Sequence, residues 1–158
     1  MFLALALLLS SAPPALRLSD QHEVEHDLKP LLAGPTVLIA GSERKTGEAI
    51  RDWLRLMPSR PGLRVLGLAD LDAVPFFVPR SSIRSGLVEL VPRAPILCDC
   101  DGEVAEALGL TPGSSTAHVL FEGRIVARVA GPPSAASVAA VLARVRTATA
   151  GAAPTVAR

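Results

Sequence analysis

The sequence predicts an α/β fold, a mixed central sheet flanked by helices and closed by a C-terminal β-hairpin and helix. Three observations predict it. Short apolar runs bounded by Pro and Gly alternate with segments whose apolar residues recur every three or four positions, which implies parallel strands joined by helices. Glu122-Gly123 separates two further strand-like runs, a hairpin signal because glycine readily supplies a positive φ. A last helical pattern, with Val138, Val141, Leu142 and Val145 on one face, follows that hairpin.

The elements follow in order. Residues 19–34 are polar at first, then carry Leu28, Leu31 and Leu32, and read as a short helix or irregular lead-in. Residues 36–40, TVLIA, form a continuous apolar run that suits a strand buried on both faces. Ser42 is placed to cap the next helix, whose inner face is Ala49, Ile50, Trp53, Leu54 and Met57. Residues 63–70 make a second strand, 75–79 a loop, and a helix with Ile83 and Leu87 runs to about Val91. Residues 95–99 make a third strand, and a short helix over 103–110 turns Val104, Ala107 and Leu108 inward. The hairpin strands span 116–121 and 125–130, and Ser134 caps the final helix.

Residues 1–12, MFLALALLLSSA, resemble the apolar core of a signal peptide followed by small residues, and are too short to span a bilayer, which takes about 20 apolar residues. The reading is a leader over 1–18, one domain over 19–147 and a flexible tail over 148–158, in a periplasmic or secreted protein. Export places any cysteine pair in an oxidising compartment. A formal net charge of +1 gives no field to steer the chain onto nucleic acid, and four Phe, one Trp and no Tyr leave no base-stacking surface.

Residues 96–109, ILCDCDGEVAEALG, resemble the redoxin segment in which a strand ends in Asp-x-x-Gly and a short helix follows. Residues 115–131 are similar to the hairpin that comes next, and 74–87, with Arg80-Ser81-Ser82, to a stretch of the YtfJ-like group of exported thioredoxin-fold proteins. The resemblance covers about residues 35 to 146 and implies a thioredoxin-like fold. It also implies a nucleophilic Cys just after the first core strand, where a helix dipole favours the thiolate. Here residues 41–47 read GSERKTG and hold no sulfur, and Thr116 stands where thioredoxins place a cis-proline. Neither thioredoxin nor peroxiredoxin chemistry carries over.

Four motifs bear on function. Cys98 and Cys100 are either a structural pair, a displaced redox pair or part of a soft-metal site. On one strand they stand about 6.6 Å apart, too far for a disulfide unless the chain turns at Asp99, and no further metal ligands lie nearby. His22-Glu23-Val24-Glu25-His26 matches H-E-x-x-H by letter, without a catalytic domain around it or a third ligand. Ser42 and Lys45 satisfy Ser-x-x-Lys, and with Arg44 and the Thr116 loop they outline an anion or ligand pocket at a helix N-terminus. Phe76-Phe77 either folds onto the sheet or forms a partner-binding patch.

The preferred function is a degenerate exported thioredoxin-like module that binds a partner, another exported protein, or a ligand, with no cofactor, metal or nucleic acid. The alternative is an atypical thiol–disulfide oxidoreductase in which one of Cys98 and Cys100 attacks a substrate disulfide and the other resolves it. A peroxidase, needing an exposed low-pKa thiolate, is a weaker third class.

Overall fold

The computed structural model describes residues 16–43, 45–110, 113 and 115–151. The elements run β1 (Arg17–Ser19), β2 (Glu25–Asp27), α1 (Leu28–Leu31), β3 (Thr36–Gly41), α2 (Thr46–Leu56), β4 (Arg64–Asp70), α3 (Arg80–Leu90), β5 (Ile96–Asp99), α4 (Glu103–Leu108), β6 (Thr116–Phe121), β7 (Arg124–Ala130) and α5 (Ala135–Gly151). The main sheet has the order β5-β4-β3-β6-β7. Its first three strands are parallel, and β6 and β7 add antiparallel pairings. This is the mixed sheet that the alternation of runs predicts.

β3 lies at the centre and all six of its residues are buried. Successive side chains of a strand point to opposite faces. Val37 and Ile39 therefore join a core with Ile50 and Trp53 of α2, Leu87 of α3 and Val141 of α5. Leu38 and Ala40 join a second core with Leu28, Leu97, Val104 and Leu120. Gly67 of β4 lets α2 press close, since a Cβ there would stand 2.7 Å from Ile50 Cγ2. Glu122 (φ 51°) and Gly123 (φ 73°) make the two-residue turn between β6 and β7, both in the left-handed region that a type I′ turn requires. Ser134 caps α5 as expected, its Oγ accepting from Ser137 N–H at 3.1 Å.

Four details differ from the sequence reading. The lead-in read over 19–34 is instead mostly a β-hairpin over 17–27, β1 paired antiparallel with β2, before the single turn of α1. The hairpin is held by buried polar groups rather than by an apolar pattern. β1 also begins at Arg17, inside the segment read as leader, while residues 1–15 lie outside the described residues. Ala107 faces solvent, because α4 spans less than two turns and buries only Val104 fully. α5 continues to Gly151, past the start of the expected tail.

Asp20 and Gln21 lock the hairpin to the sheet. Asp20 Oδ2 meets His26 Nε2 at 2.8 Å, and Asp20 Oδ1 accepts from the N–H groups of His22 and Val24. Asp20 also forms a bridge to Leu97 at the outer edge of β5. The Gln21 amide donates to Val91 O and Ala94 O, and its carbonyl accepts from Ile96 N–H at 2.7 Å. Gln21→Ala leaves three buried backbone groups unsatisfied and should cost about 3 kcal/mol in urea unfolding. Burial pushes the Asp20 carboxyl up, but the His26 bond and the backbone donors outweigh it and hold it below its ordinary value of 3.8. A depressed carboxylate stabilises the fold above its unfolded pKa, and that stability is lost as pH falls through the lower folded value. Asp20→Asn should therefore be less stable than the parent protein at pH 7, with the gap closing below about pH 3.8 in parallel unfolding curves.

Candidate functional site

The chain turns sharply after β3. A Cβ on Gly41 would lie 2.8 Å from Thr46 Oγ1 and 3.3 Å from Ser115 Cα. Glycine thus allows the start of α2 and the residue before β6 to close over the strand end. Ser42 does not cap α2. The helix begins at Thr46, its N-cap is Lys45, and no side chain caps it; three residues separate Ser42 from the first turn. Instead Ser42 N–H donates to Gly113 O at 3.0 Å, and Ser42 Oγ accepts from Gly113 N–H at 2.9 Å. This pair of bonds ties the β3–α2 turn to the segment before β6.

The three described residues of the expected anion pocket do not converge on one cavity. Ser42 lines a cleft between α2 and α3, and Lys45, exposed, lines a groove on the other side of α2. Thr116 is buried within the sheet, opposite Ala40 and Ala130, and Arg44 lies outside the described residues. The groove, about 380 Å³, runs from Lys45 and Thr46 past Ser115 to Gly131, Pro132 and Pro133. Glu43, Glu48 and Asp52 also line it, and Asp52 is paired with Arg51 at 2.8 Å. The Ser42 hydroxyl oxygen accepts from Gly113 N–H, and Ser42 and Lys45 line different clefts on either side of α2.

The cysteines sit at the end of β5. Cys98 is 2% exposed in the core that holds Trp53 and Leu87, and Cys100, half-buried, packs against the same core. Both are free thiols. Burial pushes the Cys98 thiol above its ordinary pKa, and the Arg84 guanidinium beside it offsets this only in part. Asp99 between them is paired with Asp70 of β4, and its backbone O accepts from Leu71 N–H at 2.8 Å, so the strand stays extended there. His22 and His26 flank the hairpin turn rather than one face of a helix. The His22 ring lies 3.2 Å from Pro92 O, and the His26 ring is bound to Asp20. His118 is buried in β6, with its pKa pushed down by burial.

The cleft between α2 and α3 encloses about 590 Å³. Its walls come from the β3–α2 turn, the β4–α3 loop and the inner face of α3, three segments that no local motif connects. Phe76 and Phe77 sit in that loop between Pro75 and Val78, which line the cleft. Their rings meet edge to face at 5.8 Å and are 96% and 72% exposed, so the pair does not fold onto the sheet. A second cleft of about 440 Å³ continues over the ends of β3 and β4 and is lined by Asp70, Asp72, Asp101 and Glu106.

Solved structures share this fold. A secreted disulfide oxidoreductase of Mycobacterium tuberculosis is 16% identical, with a TM-score of 0.58 over 84% of this chain and 96% of its own. The exposed lipoprotein thioredoxin Etrx1 of Streptococcus pneumoniae is 14% identical, with a TM-score of 0.65 over 84% and 98%. StoA of Bacillus subtilis is 15% identical, with a TM-score of 0.59 over 83% and 98%. The fold is thioredoxin-like. At the level of sequence, no protein-family model and no curated protein matches the chain. In this thioredoxin-like chain the β3–α2 turn, where the sequence resemblance implies a nucleophile, reads GSERKTG over 41–47 and holds no cysteine. Titration of the native protein with Ellman's reagent should modify Cys100 well before Cys98, with Cys98 reacting only on unfolding; equal rates would contradict the burial described above.

Proposed function

We propose that this chain is a non-catalytic thioredoxin-like module that acts outside the cytoplasm by binding another exported protein through the groove beside α2. The observation that carries the reading is the separation of scaffold from thiol. The turn after β3 is fully built, with Ser42 doubly bonded to Gly113 and Gly41 packed on Thr46 and Ser115. The sulfur that a redox enzyme needs there is missing, and Cys98 is sealed in the core. A buried thiol with a raised pKa is a poor nucleophile. The exported setting is supported by the apolar leader at 1–12 and by the likeness of 74–87 to the YtfJ-like group. Two of the similar structures are themselves described as secreted or exposed. Among the described residues no helix is long and apolar enough to cross a membrane.

The alternative, an oxidoreductase using Cys98 and Cys100, shares the fold of neighbours that are thiol–disulfide enzymes. It requires β5 to open at Asp99 before the pair closes. Insulin reduction with a dithiol as reductant separates the two. The leaderless protein should show no turnover above the dithiol alone, and Cys98→Ser and Cys100→Ser should change nothing. Turnover abolished by either substitution would make the chain an enzyme with a displaced active site.

A further inference from the structure

The two most exposed large apolar side chains among the described residues, Phe76 and Phe77, share one turn. Val78 N–H donates to Pro75 O at 3.0 Å, which closes a β-turn with the two Phe residues at its corners. The loop around it is tied down as well. Val74 N–H donates to Leu71 O at 3.0 Å, and the Arg80 guanidinium donates to the same carbonyl at 2.7 Å. Pro75 and Pro79 flank the turn and restrict its backbone. The rings are therefore held out in water by a built loop, which forgoes one of the larger apolar gains open to a side chain.

Beside this finger is a recess of matching character. The cleft between α2 and α3, about 590 Å³, is within the size range of pockets that enclose a drug-sized molecule. Leu71, Val74, Val78, Ile83 and Leu87 line it. Its two acidic lining residues turn their charges elsewhere. Asp70 Oδ1 accepts from Asp72 N–H on the side of Gly102, and the Glu43 carboxylate lies by Gly113. Pro75 and Val78 belong to the cleft wall, whereas Phe76 and Phe77 between them do not. The rings thus project away from the recess that their own loop borders.

A protrusion next to a recess that it cannot fill itself becomes self-complementary under a twofold axis between the two. We propose that the chain forms a twofold dimer in which the Phe76-Phe77 turn of each copy enters the α2–α3 cleft of the other. The rings then lie on Val74, Val78 and Ile83 of the facing copy. A Phe side chain offers about 150–250 Å² for burial, so the exposed pair presents roughly 300 Å² per copy. Two fingers, each covering an equal area of cleft wall, remove about 1,200 Å² from water, the size at which stable interfaces begin. Charge does not oppose the pairing. The formal net charge is only +1, and the loop carries one carboxylate, Asp72, and one guanidinium, Arg80. That guanidinium is turned onto Leu71 O and Cys100 O, which leaves the turn without a cation for an anionic lipid surface. The partner groove shares Glu43 and Thr46 with the cleft, but Phe76, Phe77 and Ile83 are not among its lining residues.

The test is sedimentation equilibrium of the full chain, which should show a reversible dimer with a micromolar Kd, as befits a small interface. Phe76→Ser/Phe77→Ser should weaken it at least about 100-fold with the melting temperature unchanged, because both rings are already in water. Ile83→Lys, which sets a charge on the cleft wall, should do the same with the rings intact. An equimolar mixture of the two variants should recover a heterodimer, since one finger then finds one open cleft. Phe77→benzoylphenylalanine should cross-link on irradiation to Val74, Val78 or Ile83 of a second copy, a readout that does not depend on Ile83→Lys folding. A monomer at millimolar concentration, or association that survives Phe76→Ser/Phe77→Ser, would overturn the proposal. So would cross-links that join only the two Phe pairs or fall outside the cleft. Co-sedimentation of a monomeric chain with phosphatidylcholine vesicles would also overturn it and make the turn a membrane contact.

Discussion

β3 has no face toward water, and the rest of the molecule is arranged around that constraint. A strand buried on both sides and paired along both edges needs a core on each face. The chain supplies α2, α3 and α5 on one and α1 and α4 on the other. The right-handed crossovers that carry the chain from β3 to β4 and β4 to β5 put their helices on the same face. α2 and α3 therefore lie side by side, and the cleft between them is a by-product of that topology. The turn after β3 is tight for the same reason. Strand, helix start and the approach to β6 converge on Gly41, where only a glycine leaves room.

Much of the fold was legible because the main sheet is made of local signals. The run 36–40, the periodicity through Ile50, Trp53 and Met57, and the Glu122-Gly123 turn each announce one element without reference to the others. The hairpin at the N-terminus was not legible. Its strands have three residues each, its turn places Glu23 at φ 64° without a glycine, and its anchors to the sheet are side-chain bonds from Gln21 to residues some seventy positions away. Ser42 was misread for a related reason. A serine before a helix looks like a cap, and nothing nearby in sequence shows that its partner is Gly113.

The candidate site divides in the same way. The absence of sulfur after β3 is visible in the letters alone, and so is the Cys98–Cys100 spacing; the burial of Cys98 follows from its place on a strand covered by α3. The clefts had no such trace. Ser42, Leu71 and Ile83 come from separate segments and line one cleft only when the sheet aligns the ends of β3 and β4.

The N-terminal hairpin also bears on solubility. β5 is the outermost of the parallel strands, and its residues Ile96, Leu97 and Cys98 are almost wholly buried. A strand of that composition with free edge amides is a template for pairing with another chain. Here Asp20 bridges Leu97 and the Gln21 carbonyl takes up the Ile96 N–H, so the edge is occupied from within. The short hairpin thus acts as an aggregation guard, and a proteolytic cut that removed it would leave that edge open to pairing.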